Sequence, residues 1–103
     1  MFIYNVTVNV ADSIRLDWLQ WIKTHIKEVL ATGRFKSARL TQVLADEEEG
    51  ATYAIQYLAE SRANLNAYYE IDAPKLRQEG LKKFGDKMLA FRTELFIIDE
   101  FNA

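Results

Sequence analysis

Polar and apolar residues alternate at the start of the chain. Tyr4, Val6, Val8 and Val10 are separated by Asn5, Thr7 and Asn9, the period of two expected of a strand with one buried face. Asp12 and Ser13 then offer N-cap oxygens, and Asp17 puts negative charge near the positive end of the helix they would open. That helix is predicted to run to Ala31-Thr32-Gly33, where glycine can take the left-handed conformation that closes it. Residues 35–45 and 52–59 read as two strands of a hairpin, joined by the acidic turn 46–50, whose charges are expected to stay wet at a loop tip. Ser61 opens a second helical stretch. Asp72-Ala73-Pro74 looks like a new N-cap with proline in the first turn, so this helix is predicted to break near Pro74. Leu76, Gly80 or Leu81, and Phe84 keep a helical spacing up to Gly85, and residues 88–98 form the last strand.

The order is βαββαβ with extra helical turns. It predicts a ferredoxin-like α+β fold in which one antiparallel four-stranded sheet carries helices on one face, and residues 1–103 form a single domain. The helix-covered face is expected to hold Tyr4, Val6, Val8, Leu40, Tyr53, Ile55, Tyr57, Phe91 and Leu95. The open face is expected to hold Asn5, Thr7, Asn9, Arg39, Thr41, Thr52, Ala54, Gln56, Arg92 and Glu94, with Ile3, Leu58 and Phe96 interspersed. Such a mixture suits a wet surface or two sheets packed across a twofold axis. Ile3, Leu58, Phe96 and Ile98 would otherwise lie on water, so a homodimer through this polar sheet face is the expectation.

Composition narrows the picture. Half of the 103 residues are hydrophobic and 27% are charged, which suits one folded core and excludes a disordered chain. No apolar run approaches the roughly 20 residues that span a bilayer, and the N-terminus has no basic flank or signal-like stretch, so no membrane contact and a cytoplasmic location are expected. With no cysteine, thiolate chemistry, thiolate metal sites and disulfides are excluded. A net charge of -2 gives no global field for phosphates. The βαββαβ order is shared with RNA-recognition domains, but Thr52 and Ala54 stand where their base-stacking aromatics belong, so no nucleic-acid partner is expected.

Candidate chemistry centres on the one histidine. At about 100° per residue, His25 lies about 20° from Trp18 around the first helix, with Ile14, Ile22 and Val29 within about 40° of that line. Its imidazole therefore points inward. It is either a core group satisfied by a hydroxyl or carbonyl, or a neutral base or anchor if a cavity reaches it. Glu28 stands three residues on, but with no second histidine and no cysteine, no metal site and no cofactor are expected. Trp18 and Trp21 with Tyr53, Tyr57 and Tyr68 are either plain core or the lining of an aromatic pocket. Phosphate loops and nucleophile elbows are absent from the sequence.

The segments Tyr4–Val10, His25–Gly33, Ser37–Leu40 and Phe84–Lys87 together resemble an uncharacterised family of short bacterial proteins known only as a domain of unknown function. More distantly, the pattern is similar to the dimeric α+β barrel group, in which two ferredoxin-like sheets close around a cavity. Its members include cofactor-free monooxygenases, small-molecule isomerases and heme-degrading enzymes, and the link is an analogy of fold. The family commonly has a proline after the His-Ile pair where this chain has Lys27, so no helix distortion carries over. The resemblance implies a dimer and a cavity.

Three functions follow as expectations. The first is a homodimeric domain that binds a small organic molecule between the first helix and the sheet, with His25, Trp18, Arg39 and Arg92 lining that cavity or the dimer cleft, His25 as a polar anchor and possible base and the arginines as carboxylate partners. The second is a non-catalytic interaction or regulatory module that uses the open sheet face and the acidic turn. The third is an enzyme of the cofactor-free monooxygenase or isomerase kind.

Overall fold

The computed structural model describes residues 1–45 and 49–103, so most of the expected acidic turn lies outside the described residues. Strand β1 (Phe2–Val10) leads through a 3-10 turn (Asp12–Ile14) into helix α1 (Arg15–Ala31). Strands β2 (Ser37–Gln42) and β3 (Ala51–Ala59) follow. Helix α2 (Arg62–Ala67), a π-helical turn (Tyr68–Asp72) and helix α3 (Ala73–Phe84) come next, then a 3-10 turn (Gly85–Lys87) and strand β4 (Met88–Phe96). The sheet order is β2-β3-β1-β4 with every pair antiparallel. All helices lie on one face, and the molecule measures 38 × 36 × 18 Å. The short dimension is that of one sheet and one helical layer, and among the described residues no helix covers the second sheet face.

Local chemistry accounts for the breaks. The start of α1 has no side-chain cap, contrary to the expectation from Asp12 and Ser13. The Asp12 carboxylate instead accepts from the Gly50 N–H at 3.4 Å. At Gly50, φ is +74° and a Cβ would stand 2.6 Å from the Val10 carbonyl oxygen, so only glycine fits where β3 begins. Ser61 does cap α2, accepting from the Asn64 N–H at 3.1 Å. The break near Pro74 takes the form of the π turn, where the Ala73 N–H reaches the Tyr68 carbonyl five residues back. Proline has no N–H to give and its ring crowds the carbonyl four residues earlier, so the helix widens just before it. Asp72, free of capping duty, holds Arg34 Nε at 3.0 Å and ties the π turn to the loop after α1.

Register sets the two faces. The inner face of β1 and β3 carries Tyr4, Val8, Val10, Tyr53, Ile55 and Tyr57, all buried, against Trp18, Ile22 and Val29 of α1 and Leu65, Leu76 and Phe84 of the second helical stretch. Tyr4, Tyr57, Phe35 and Tyr68 form an aromatic cluster with centroids 4.9–6.0 Å apart. Strand β4 runs opposite in phase to the sequence expectation. Val6 pairs with Arg92 and Tyr4 with Glu94, so Met88, Ala90, Arg92, Glu94 and Phe96 share the helix side. Leu89, Phe91, Thr93 and Leu95 lie on the open face. Of the inward groups on β4, Glu94 accepts from Arg62 at 2.7 Å and from the Tyr69 hydroxyl at 2.9 Å, and Met88 Sδ accepts from Trp18 Nε1 at 3.1 Å. Phe96 stacks beside Phe2 at 5.2 Å.

The open face has polar and apolar rows. Asn5 donates to Thr7 and Thr93, and Asn9 to Thr52, at 3.1–3.4 Å. Leu58, Ile3 and Leu95 form one row across three strands. Phe91 and Leu89 keep 67% and 56% of their surface in solvent, which is unusual for side chains of this size.

Candidate functional site

A cavity of about 60 Å³ lies between α1, α3 and the inner face of the sheet. Trp18, Trp21, Ile22 and His25 line it from α1, and Tyr4, Val6, Val8, Ile55 and Tyr57 form its floor. Tyr68 of the π turn, Leu76, Arg77 and Gly80 of α3, and Met88, Ala90 and Arg92 of β4 complete it. At roughly 10–15 Å³ per water by this kind of measure, it has room for a few waters or a small ligand. It adjoins an open recess formed by Tyr4, Tyr69, Arg77, Arg92, Thr93 and Glu94, so both arginines stand where the cavity meets solvent.

Two buried polar side-chain atoms have no hydrogen-bond partner among the described residues, His25 Nδ1 and Arg77 Nε. Both belong to residues that line this cavity. The His25 ring stacks on Trp21 at 4.5 Å with the planes 24° apart, which fixes its orientation. Arg77 is held from one side, its Nη2 donating to the Tyr4 hydroxyl at 3.0 Å. Among the described residues, neither Arg77 nor Arg92 forms an ion pair and no carboxylate lines the cavity. Burial lowers the His25 pKa, Glu79 raises it in part and Arg92 lowers it further, so the imidazole is neutral at physiological pH and able to accept as well as donate. Burial, with their tyrosine neighbours, pushes the Tyr57 and Tyr68 hydroxyls far up, and they remain protonated donors.

On the outer side of His25, one donor atom each from His25, Glu28 and Glu79 lie within 4.8 Å of one another. Hydrogen bonding with Glu79, then burial, raises the Glu28 pKa, and Lys75 opposes this. These three donors are fewer than the four of a closed zinc site.

The structure brings three of the four sequence-predicted site residues to this cavity. Trp18 is fully buried at its wall, His25 is half-buried, and Arg92 reaches it from the inner face of β4. Arg92 had been expected on the open face, and the register of β4 against β1 corrects that. Arg39 lies across the sheet from His25, in an outer groove with Ile3, Gln56, Leu58, Ile97 and Glu100. Sequence reasoning missed Arg77 and Glu79. Leu76, Gly80 and Phe84 give the buried line of α3, with Leu81 exposed. Arg77 stands about 60° from Gly80 around that helix, near enough to find once Gly80 is chosen over Leu81.

Fold and cavity together define a ferredoxin-like α+β domain, and comparison with known proteins agrees. The chain belongs to the family Domain of unknown function (DUF4286), whose model matches residues 1–98. No curated protein matches it. Among solved structures it is similar to a dimeric ferredoxin-like protein from an uncultured marine organism, with a TM-score of 0.72 and 14% identity over 97% of each chain. A second such protein, also from an uncultured marine organism, matches with a TM-score of 0.69 and 12% identity over 100% of both chains. A Deinococcus radiodurans protein assigned provisionally as an antibiotic biosynthesis monooxygenase has a TM-score of 0.64 and 10% identity, over 100% of this chain and 98% of that one. At such identities the likeness is one of fold alone. None of the described helices is long and apolar enough to cross a membrane.

Proposed function

We propose that this is a cytoplasmic, homodimeric domain that binds a small organic molecule in the cavity between α1 and the sheet. The observation that carries the reading is the pair of partnerless buried atoms, His25 Nδ1 and Arg77 Nε, on residues lining that cavity. A buried donor left unpaired costs about 1–3 kcal/mol, and a ligand offering an acceptor would recover it. His25 serves as a polar anchor, Trp18 as apolar wall and Arg92 as a charged group at the mouth. Arg39 belongs with the dimer cleft. The dimer forms through the open sheet face, where the exposed Leu89, Phe91 and Leu95 and the half-buried Ile3 and Leu58 would leave water; that the similar marine proteins are dimeric supports a dimer as such.

Two measurements test this. Sedimentation velocity is expected to give twice the 12.0 kDa chain mass, and a monomer that recruits a different protein to its open face would favour the interaction-module reading instead. An amide-resolved NMR titration with two- to five-carbon alcohols, amides and carboxylates is expected to show saturable shifts in α1, α3 and the inner residues of β4. Shifts confined to the outer face, or none that saturate, would overturn small-molecule binding at this site.

A further inference from the structure

We propose that the ligand is a short aliphatic carboxylate, its tail in the cavity and its carboxylate on Arg77 and Arg92, a proposal that rests on small-molecule binding in the cavity. Three observations converge on it. Charge comes first: two arginines flank the junction between the cavity and the outer recess, and among the described residues neither is neutralised and no carboxylate lines the cavity. The nearest acid in the recess, Glu94, is already held by Arg62 at 2.7 Å and Tyr69 at 2.9 Å. On the other flank, Glu28 and Glu79 lie beside His25 and bond with each other, outside the cavity lining.

Geometry comes second. The guanidinium of Arg77 is fixed through Nη2 by the Tyr4 hydroxyl at 3.0 Å, while its Nε–H is buried and unpartnered. A guanidinium held at one edge with a free donor at another is pre-organised for a carboxylate oxygen, and charge-assisted bonds of this kind are roughly twice as strong as neutral ones. A neutral His25 can take a further hydrogen bond through Nδ1 at the same cavity.

Size comes third. A cavity that admits benzene measures roughly 150 Å³, whereas this one has about 60 Å³. A phenyl ring is therefore disfavoured, while a chain of a few carbons fits against Trp18, Ile22 and Met88. The proposed class is that of short straight or branched aliphatic acids, with the acid group facing the recess.

The test is a set of amide-resolved NMR titrations of the full chain with butyrate, butyramide and benzoate at matched ionic strength and pH. Butyrate is expected to saturate with shifts at His25, Arg77 and Arg92, butyramide to bind at least tenfold more weakly, and benzoate to bind more weakly than butyrate. Butyramide binding as tightly as butyrate would overturn the carboxylate class while leaving small-molecule binding in place. Benzoate binding more tightly would overturn the size limit. Saturation by none of the three, nor by the alcohols and other amides, would remove the binding reading itself. Arg77→Met is expected to abolish the preference for butyrate over butyramide. Should that variant fail to fold, Arg92→Met, at an exposed position on the edge strand, is expected to cut the preference at least threefold, and an unchanged preference would contradict the proposal.

Discussion

The two faces of the sheet are made from the same four strands, yet they solve different problems. On the inner face, aromatic and branched side chains close on one another, and the residual space lies where Arg77 and Arg92 approach. On the outer face, Asn5, Thr7, Asn9 and Thr52 satisfy one another in short polar rows, while Leu89, Phe91 and Leu95 remain exposed. The inner face is finished within one chain except at its cavity. The outer face has no covering helix among the described residues. In the proposed function this contrast separates ligand from partner: the unpaired polar groups of the pocket are assigned to a small molecule and the exposed apolar groups of the flat sheet to a second surface.

The comparison can be broken most directly by truncating each face. Trp18→Ala removes a fully buried indole and its bond to Met88. It is expected to cost about 3–5 kcal/mol in urea unfolding, and a loss below about 1 kcal/mol would mean that the inner face is not the core. Paired substitution of Leu89→Lys and Phe91→Lys is expected to leave the fold intact but yield monomers by sedimentation, with dimer dissociation raised by more than about a hundredfold. An unchanged dimer would place the interface elsewhere. Tyr4→Phe removes the hydroxyl that holds Arg77 and is expected to cost about 1.5–3 kcal/mol, as for a hydrogen bond to a charged group, with weaker carboxylate binding.

Smaller effects sharpen the picture around His25. Its pKa in the folded protein lies below the usual 6.5 because of burial, with Glu79 opposing and Arg92 assisting the shift. The unfolded chain therefore takes up its proton first. Stability is expected to fall as pH drops below about 6.5 and to level off once the folded protein is protonated as well. His25→Asn should flatten that slope in urea midpoints measured between pH 7.5 and 5. The neighbouring Glu28 has the opposite sign, since its pKa is raised by hydrogen bonding to Glu79. Its contribution is present at acid pH and fades as pH rises above about 4.5. Glu28→Gln should therefore raise the melting temperature slightly at pH 7 and leave it unchanged at pH 4, and a lowered value at pH 7 would contradict the carboxylate pairing.

Much of this architecture was legible in the sequence because its signals are local. The alternation of Tyr4, Val6 and Val8 identified the inner face of β1, and the spacing of Trp18, Ile22 and His25 placed the imidazole toward the sheet. Strand β4 misled because its most apolar set, Leu89, Phe91 and Leu95, faces outward. Hydrophobic pattern records burial without saying whether the cover comes from the same chain. Register against β1, fixed by long-range pairing, settled the phase and carried Arg92 to the helix side. Arg77 was missed because helical spacing alone does not choose between Gly80 and Leu81 for the buried line of α3, and Gly80 is the buried one. The approach of Glu79 to Glu28 and His25 of α1 is a matter of tertiary packing that spacing along one helix does not encode.

A high-resolution crystal structure of the protein tests the central claim most directly. The expected result is a dimer through the outer sheet face whose inner cavity stays open, with water or a bound small molecule within hydrogen-bond reach of both His25 Nδ1 and Arg77 Nε. A cavity closed by side chains, with both atoms paired to protein groups, would contradict it.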